Sequence, residues 1–137
     1  MKKVILLGAM LLLAFTSCSK SDENKEEIIE PQEVARYYVK FEVTFSTLTS
    51  FHNLTSTVLS CSTENGMKTM SFSDKKTFTW ENTYGPVSNN FLASLKCDSK
   101  GAIINAKISV SKNSEPFVVK AEGQKESSLS LQYKINF

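Results

Sequence analysis

The sequence has one histidine, three cysteines, five glycines and one tryptophan among 137 residues, and each scarcity removes a kind of chemistry. His52 stands alone, with no second histidine or cysteine spaced to complete a zinc site. A Ser-His-Asp set would have to be built on the same residue, and no pattern of serines and acids orders one around it. The glycines are isolated, so no phosphate-cradling loop is present. The acids of residues 35–137 fall singly on strand positions and turns, and no two are favoured as the cleft-bound pair of a glycosidase. These absences describe a chain that is not an enzyme and carries no cofactor or metal. Sixteen basic residues against 14 acidic ones, spread singly, also leave no footprint for nucleic acid.

Long apolar runs are equally scarce. The one at the N-terminus, Val4 to Phe15 after Met1-Lys2-Lys3, is too short to cross a bilayer and has the basic and apolar regions of an export signal. Its alternative is a buried core helix, but the run has no polar face and a polar tract follows at once. Small Thr16 and Ser17 stand before Cys18, and the stretch resembles a bacterial lipoprotein lipobox. Phe15 replaces the Leu, Val or Ala usual at that place. The resemblance implies that residues 1–17 are cut away, that the Cys18 thiol takes a diacylglycerol, and that the new amine receives a fatty acid such as palmitate. Several acyl chains hold a protein to a membrane stably, at about 0.8 kcal/mol per buried methylene. Ordinary secretion with a cysteine near the cut is the alternative.

Residues 19–34 carry two lysines and six acids. With so few apolar side chains the segment 18–34 reads as a flexible tether, and a short helix over Glu26 to Glu30 is the competing reading. Ser21-Asp22-Glu23 resembles the acidic export signal of Bacteroidetes surface lipoproteins. That resemblance implies an outer-membrane lipoprotein at the cell surface, with a periplasm-facing anchor as the alternative.

From residue 35 to 137 the hydrophobic period is two. Tyr37, Val39, Phe41, Val43 and Phe45 share one face of a first strand, and polar residues take the other. Asn65-Gly66 predicts a type I′ hairpin, which needs positive φ at both central residues. In that register Cys61 faces Met70, Leu59 faces Phe72, and Ser62 and Ser60 face Thr69 and Ser71. Phe78 and Trp80 belong to a further strand, followed by a loop over Asn82 to Asn90. Phe91, Ala93, Leu95 and Cys97 share a face, Asp98 to Gly101 read as a turn, and Ala102, Ile104, Ala106, Ile108 and Val110 share the next. Pro116 closes a turn before Phe117 to Ala121, and Leu129, Leu131, Tyr133 and Ile135 face inward at the end. About seven to eight strands at this spacing describe an all-β antiparallel sandwich.

With Cys18 assigned to lipid, Cys61 and Cys97 remain. Both fall on the apolar faces of their strands, and an exported compartment favours a disulfide. Such a bridge would span the core and close about 37 residues, contributing roughly 3–4 kcal/mol on the chain-entropy account. Two buried free thiols are the alternative. Binding residues belong on the loops at the strand ends. The candidates are Phe51 and His52 in one loop and Tyr84, with Gly85 and Pro86, in another. Their aromatic rings suit a glycan or a protein partner, or they cap the core, and an edge strand offers a further route to a partner.

Several pieces resemble the MmpS-type family of small membrane-tethered proteins, copies of which occur as Bacteroidetes lipoproteins. They are Tyr38-Val-Lys-Phe-Glu-Val43, Ser62-Thr-Glu-Asn-Gly66, Lys76-Thr-Phe-Thr-Trp80, Phe91-Leu-Ala-Ser-Leu95 and Ala106-Lys-Ile-Ser-Val110. The resemblance implies an immunoglobulin-like sandwich without enzymatic activity. It also implies, from the family's mycobacterial members, an accessory part in export with a membrane transporter. A lipid anchor stands here in place of that family's transmembrane helix, and Glu122 to Ser128 have no counterpart. The function expected is that of a lipid-anchored envelope protein that binds or supports another envelope component. The alternatives are an export accessory and a surface glycan-binding module.

Overall fold

The computed structural model describes residues 34–49, 53–54 and 56–137. The lipobox with Cys18, the signal, nearly all of the tether, and the candidates Phe51 and His52 lie outside the described residues. Among the described residues there are six strands and no helix: β1 Tyr37–Thr47, β2 Thr57–Thr63, β3 Gly66–Phe72, β4 Phe78–Val87, β5 Leu92–Lys112 and β6 Val118–Lys134. They form one antiparallel sheet in the order β3-β2-β5-β1-β4, with β6 paired to β5 as well.

The long β5–β6 hairpin is the frame of this sheet. Along one edge of β5, β2 pairs with Leu95 to Ser99 and β1 with Ala102 to Lys112. β6 follows both halves from Leu92↔Lys134 to Val110↔Val118. Between Asp98 and Ile103 of β5 the register shifts, and the opposing positions on β6 are Ser128 and Glu126. The extra residues bend both strands, as an insertion in one strand of a ladder does. Gly101, at φ 74°, supplies the left-handed residue that such a bend needs. Ser127 does the same on β6, at φ 65°, and Ser128 Oγ donates to Asp98 Oδ1 at 2.6 Å.

The bend folds the sheet over, and the inner faces of its halves meet. A Cβ placed on Gly123 would lie 3.2 Å from Leu131 and 3.4 Å from Leu129, so the two legs of β6 face each other. On the far side the Phe72 and Phe78 rings approach to 5.0 Å. The interior holds the alternating residues of β1 and both halves of β5, with Leu59, Cys61, Leu129 and Ile135. Each Phe, Leu or Ile so enclosed contributes about 1.5–3 kcal/mol. The polar side chains taken inside are paired. Thr57 and Ser99 share a buried hydroxyl bond of 2.7 Å. Ser62 Oγ accepts from the Ser94 amide at 2.8 Å and donates to the Leu92 carbonyl at 3.1 Å, where the β2–β5 ladder has already ended. No buried side-chain nitrogen or oxygen among the described residues lacks a partner.

Three sequence expectations change. The strand count is six because Asp98 to Gly101 form a bend inside a long strand, not a turn between short ones, and β6 stays paired with β5 on both sides of it. The segment Asn82 to Val87 belongs to β4, where Thr83 and Tyr84 pair with Lys40 and Val39. The β2–β3 turn is centred on Glu64 and Asn65, with Thr63 opposite Gly66. Only Gly66 of the three carries positive φ, at 105°, so the type I′ geometry is absent. Thr63 Oγ1 takes over the turn, donating to the Gly66 carbonyl at 2.8 Å and accepting from the Asn65 amide at 3.2 Å. The register therefore moves by two residues, placing Leu59 opposite Met70 and Cys61 opposite Lys68. An even shift leaves every side chain on its expected face.

Candidate functional site

Of the ring-bearing binding candidates Phe51, His52 and Tyr84, Tyr84 is the one described, and it sits with Gly85 and Pro86 on a strand, not in a loop. β4 directs it inward and half-buries it. Its ring lies 6.1 Å from that of Phe41, and Lys68 Nζ stands 5.6 Å from its centroid. Asn82 Nδ2 donates to its hydroxyl oxygen at 3.1 Å, and the Cys61 thiol is an electrostatic neighbour. Tyr84 therefore lies where β4 faces β3, a strand with which it shares no ladder. Loss of hydration raises its pKa above the ordinary value, with the neighbouring Cys61 adding to the rise and Lys68 opposing it. The ring is held by Phe41 on one side and Lys68 on another, so it works as a strut more than as an open stacking platform.

Cys61 and Cys97 are both buried and both free. The expected core-spanning disulfide is not present, and the register gives the reason. The two cysteines lie on adjacent strands, Cys61 opposite Leu95 and Cys97 opposite Leu59. That is a diagonal relation, for which Cα atoms stand about 7–8 Å apart, beyond the usual span of a disulfide. Burial pushes the Cys97 thiol up to about 12, with Asp98 and Cys61 adding to the rise. Burial also raises Cys61, against the opposing effects of Tyr84 and Lys68. Protonated, enclosed thiols are poor nucleophiles and poor ligands. Among the described residues no three His, Cys, Asp or Glu side chains gather closely enough to hold a metal ion.

Recesses mark the surface of the described residues. One, of about 320 Å³, runs along the middle of the β5–β6 hairpin beside Asn105, Lys107, Glu122 and Gly123. Its charges already pair, Lys107 with Glu122 at 3.9 Å. Another, of about 250 Å³, is formed by Arg36, Tyr38, Asn113 and Ser114 where β1 begins and β5 ends.

The feature that residue-by-residue reading missed is the distribution of exposed apolar side chains. One end of the curled sheet carries the start of β1, the β2–β3 turn, the end of β4, the start of β5, the β5–β6 turn and the end of β6. Val34, Met67, Leu92, Phe117, Val118, Val119 and Phe137 are exposed, and all belong to that end. The eighth large exposed apolar residue, Leu48, lies at the bend, bonded through its amide to the Gly101 carbonyl at 3.2 Å. A signal existed in Phe117-Val118-Val119, three successive apolar residues directly after Pro116 in a turn. No family model, curated protein or solved structure matches this chain.

Proposed function

We propose that this chain is a lipid-anchored envelope protein, attached through Cys18, whose β domain binds or supports another envelope component without catalysing a reaction. The observation that carries the proposal is the run Val4 to Phe15 ending in Thr16-Ser17-Cys18, followed by the acidic residues 19–34. The domain supports it by what its inward-facing groups do. Buried hydroxyls pair with one another, the two thiols are enclosed, and Tyr84 serves as a strut, so the polar groups of the interior are engaged in holding the sheet. In this proposal the curled sheet is an immunoglobulin-like β-sandwich of the MmpS-type layout, and the anchor lies in the outer membrane with the domain at the cell surface.

The test is the mass of the N-terminal peptide from protein made in a lipoprotein-processing bacterium, together with protease treatment of intact cells. Acyl chains on Cys18 and cleavage of the domain from whole cells are expected. An unmodified Cys18 would overturn the anchor. Protection of the domain in intact cells with an acylated Cys18 would favour the periplasm-facing export accessory, which should then co-purify with a membrane transporter.

A further inference from the structure

The end of the sheet where the strand termini gather has a composition unlike the rest of the surface. Tyr37 pairs with Lys112 across the β1–β5 ladder, and the Phe137 ring stacks on Tyr37 at 5.1 Å and 12°. Lys112 Nζ and Lys120 Nζ stand 5.8 and 5.3 Å from the Phe137 centroid, and Lys120 also lies 6.0 Å from Tyr133. Neither lysine has an ion-pair partner among the described residues. Lys40 lies over Phe117 at 5.6 Å. The turn is tied to the start of β1, since Arg36 N donates to Asn113 Oδ1 at 3.0 Å and Asn113 N to the Arg36 carbonyl at 2.7 Å. This rim therefore presents exposed aliphatic and aromatic side chains, among them Val118 at 54% and Phe137 at 56%, with cationic tips beside them. Lysine ammonium groups set beside partly exposed rings, with no carboxylate on Lys112 or Lys120 among the described residues, suit the boundary between hydrocarbon and headgroups.

We propose that this rim rests on an anionic lipid surface, its apolar side chains in the headgroup boundary and Arg36, Lys112 and Lys120 among the phosphates. The recess beside Arg36, Tyr38, Asn113 and Ser114 is of a size to receive a headgroup. The direction in which the chain enters the domain selects a membrane over other occupants. Val34 leads into β1 at the rim and not at the bend, and in sequence it follows directly on the tether from Cys18. Sixteen residues reach at most about 55 Å, ample for the rim to lie on the bilayer that holds the anchor. Residues 19–34 are acidic, net −4 from two lysines and six acids, and would not themselves seek anionic lipid. The inference deepens the anchor reading and borrows its geometry from it.

The core runs from Tyr37 to Ile135, so residues 19–137 contain everything the sheet buries and lack the acylated cysteine. Sedimentation of that chain with vesicles reads the rim apart from the anchor. Binding is expected to equimolar phosphatidylcholine and phosphatidylglycerol, and not to phosphatidylcholine alone. Lys112→Gln with Lys120→Gln should weaken it about thirtyfold, from the attraction of two lysines to an anionic surface. Val118→Ser with Val119→Ser should weaken it as well, whereas Lys75→Gln with Lys76→Gln, between β3 and β4, should change it less than about twofold. Near-ultraviolet circular dichroism verifies that each variant is folded, and the two glutamine pairs, none on a fully buried residue, decide the matter if the serine pair is not. Equal binding to both vesicles, or equal loss from the Lys75/Lys76 pair, overturns the proposal. So does a lipid-free dimer that Val118→Ser abolishes, which would give the rim to a second copy. Loss of vesicle binding with an acylated Cys18 leaves the anchor standing, and an unmodified Cys18 with vesicle binding does the reverse.

Discussion

The bend and the rim of the curled sheet are both finished with aromatic rings, and they use them oppositely. At the bend Phe45 is fully enclosed and stacks on Phe78 at 5.0 Å, while Phe72 closes over Phe78 from β3. At the rim Phe137 stacks on Tyr37 at nearly the same distance, 5.1 Å, yet more than half of it remains exposed. The stacks are alike in geometry, so the difference is area removed from water. The bend spends its aromatic surface inside the fold; the rim leaves it for something outside. Stability should accordingly concentrate at the bend.

The largest effect expected is that of Phe45→Ala, which removes a fully buried ring and should cost about 3–5 kcal/mol, read as a lowered urea midpoint. Phe137→Ala removes a ring that is mostly exposed and should cost less than about 1 kcal/mol. Equal losses at the two sites would erase the distinction between the ends. Next in size is Gly85→Ala, at the rim end of β4. Gly85 holds φ 137°, and a Cβ there would stand 2.8 Å from the Tyr37 carbonyl oxygen, so about 1–3 kcal/mol is expected. Its lesson is that the rim's backbone is tightly fitted where β1 and β4 meet, even though side chains beside it are exposed. A neutral Gly85→Ala would mean that β1 and β4 separate easily there.

Much of this division was legible in the sequence, and the misses have physical causes. The inner face of β1, Tyr37 through Phe45, and the two faces of β5 follow from period two alone, because one-sided burial forces alternation. Asp98-Ser-Lys-Gly101 carries the same residue types as a turn, and nothing local separates a reversal from a bend within a continuing strand. What decides is the partner, since β6 stays paired on both sides of the bend. The hairpin register was off by two because Asn65-Gly66 is a good turn dipeptide, while the Thr63 hydroxyl makes a competing turn one residue earlier. Cys61 and Cys97 were correctly placed on inner faces. Their diagonal offset depends on which strands are neighbours, which parity does not encode. The apolar triplet Phe117-Val118-Val119 was visible, but its meaning needed the neighbouring termini.

Cys97 offers a comparison between interior and surface that pH can sharpen. An unfolded thiol ionises around its ordinary value of 9.0, whereas the buried one keeps its proton to about 12. Over that interval the unfolded chain releases a proton that the folded chain retains. The stabilising difference is complete below pH 9 and is lost as the pH rises toward 12, at about 1.4 kcal/mol per pH unit. Tyr84 and Cys61 are raised too, and act in the same direction. Under reducing conditions, urea midpoints at about pH 8 and pH 10 should therefore fall further for the natural chain than for Cys97→Ala. Parallel falls would mean that the thiol is already hydrated in the folded state.

The smallest expected change in stability belongs to the residue on which the rim depends most. Val118 is 54% exposed, pairs through its backbone with Val110, and gives little side-chain area to the core. Val118→Ser should leave the urea midpoint within about 0.5 kcal/mol of the natural chain, because the ladder bonds survive and the hydroxyl meets water. A residue retained in the interest of the fold would not behave in this way. If Val118→Ser destabilises the domain as much as a core substitution, the apolar rim is part of the core after all, and its exposure needs no partner. If stability is unchanged while binding to anionic vesicles falls, the two ends divide the work. The bend and interior then set whether the sheet exists, and the rim sets what the sheet rests on.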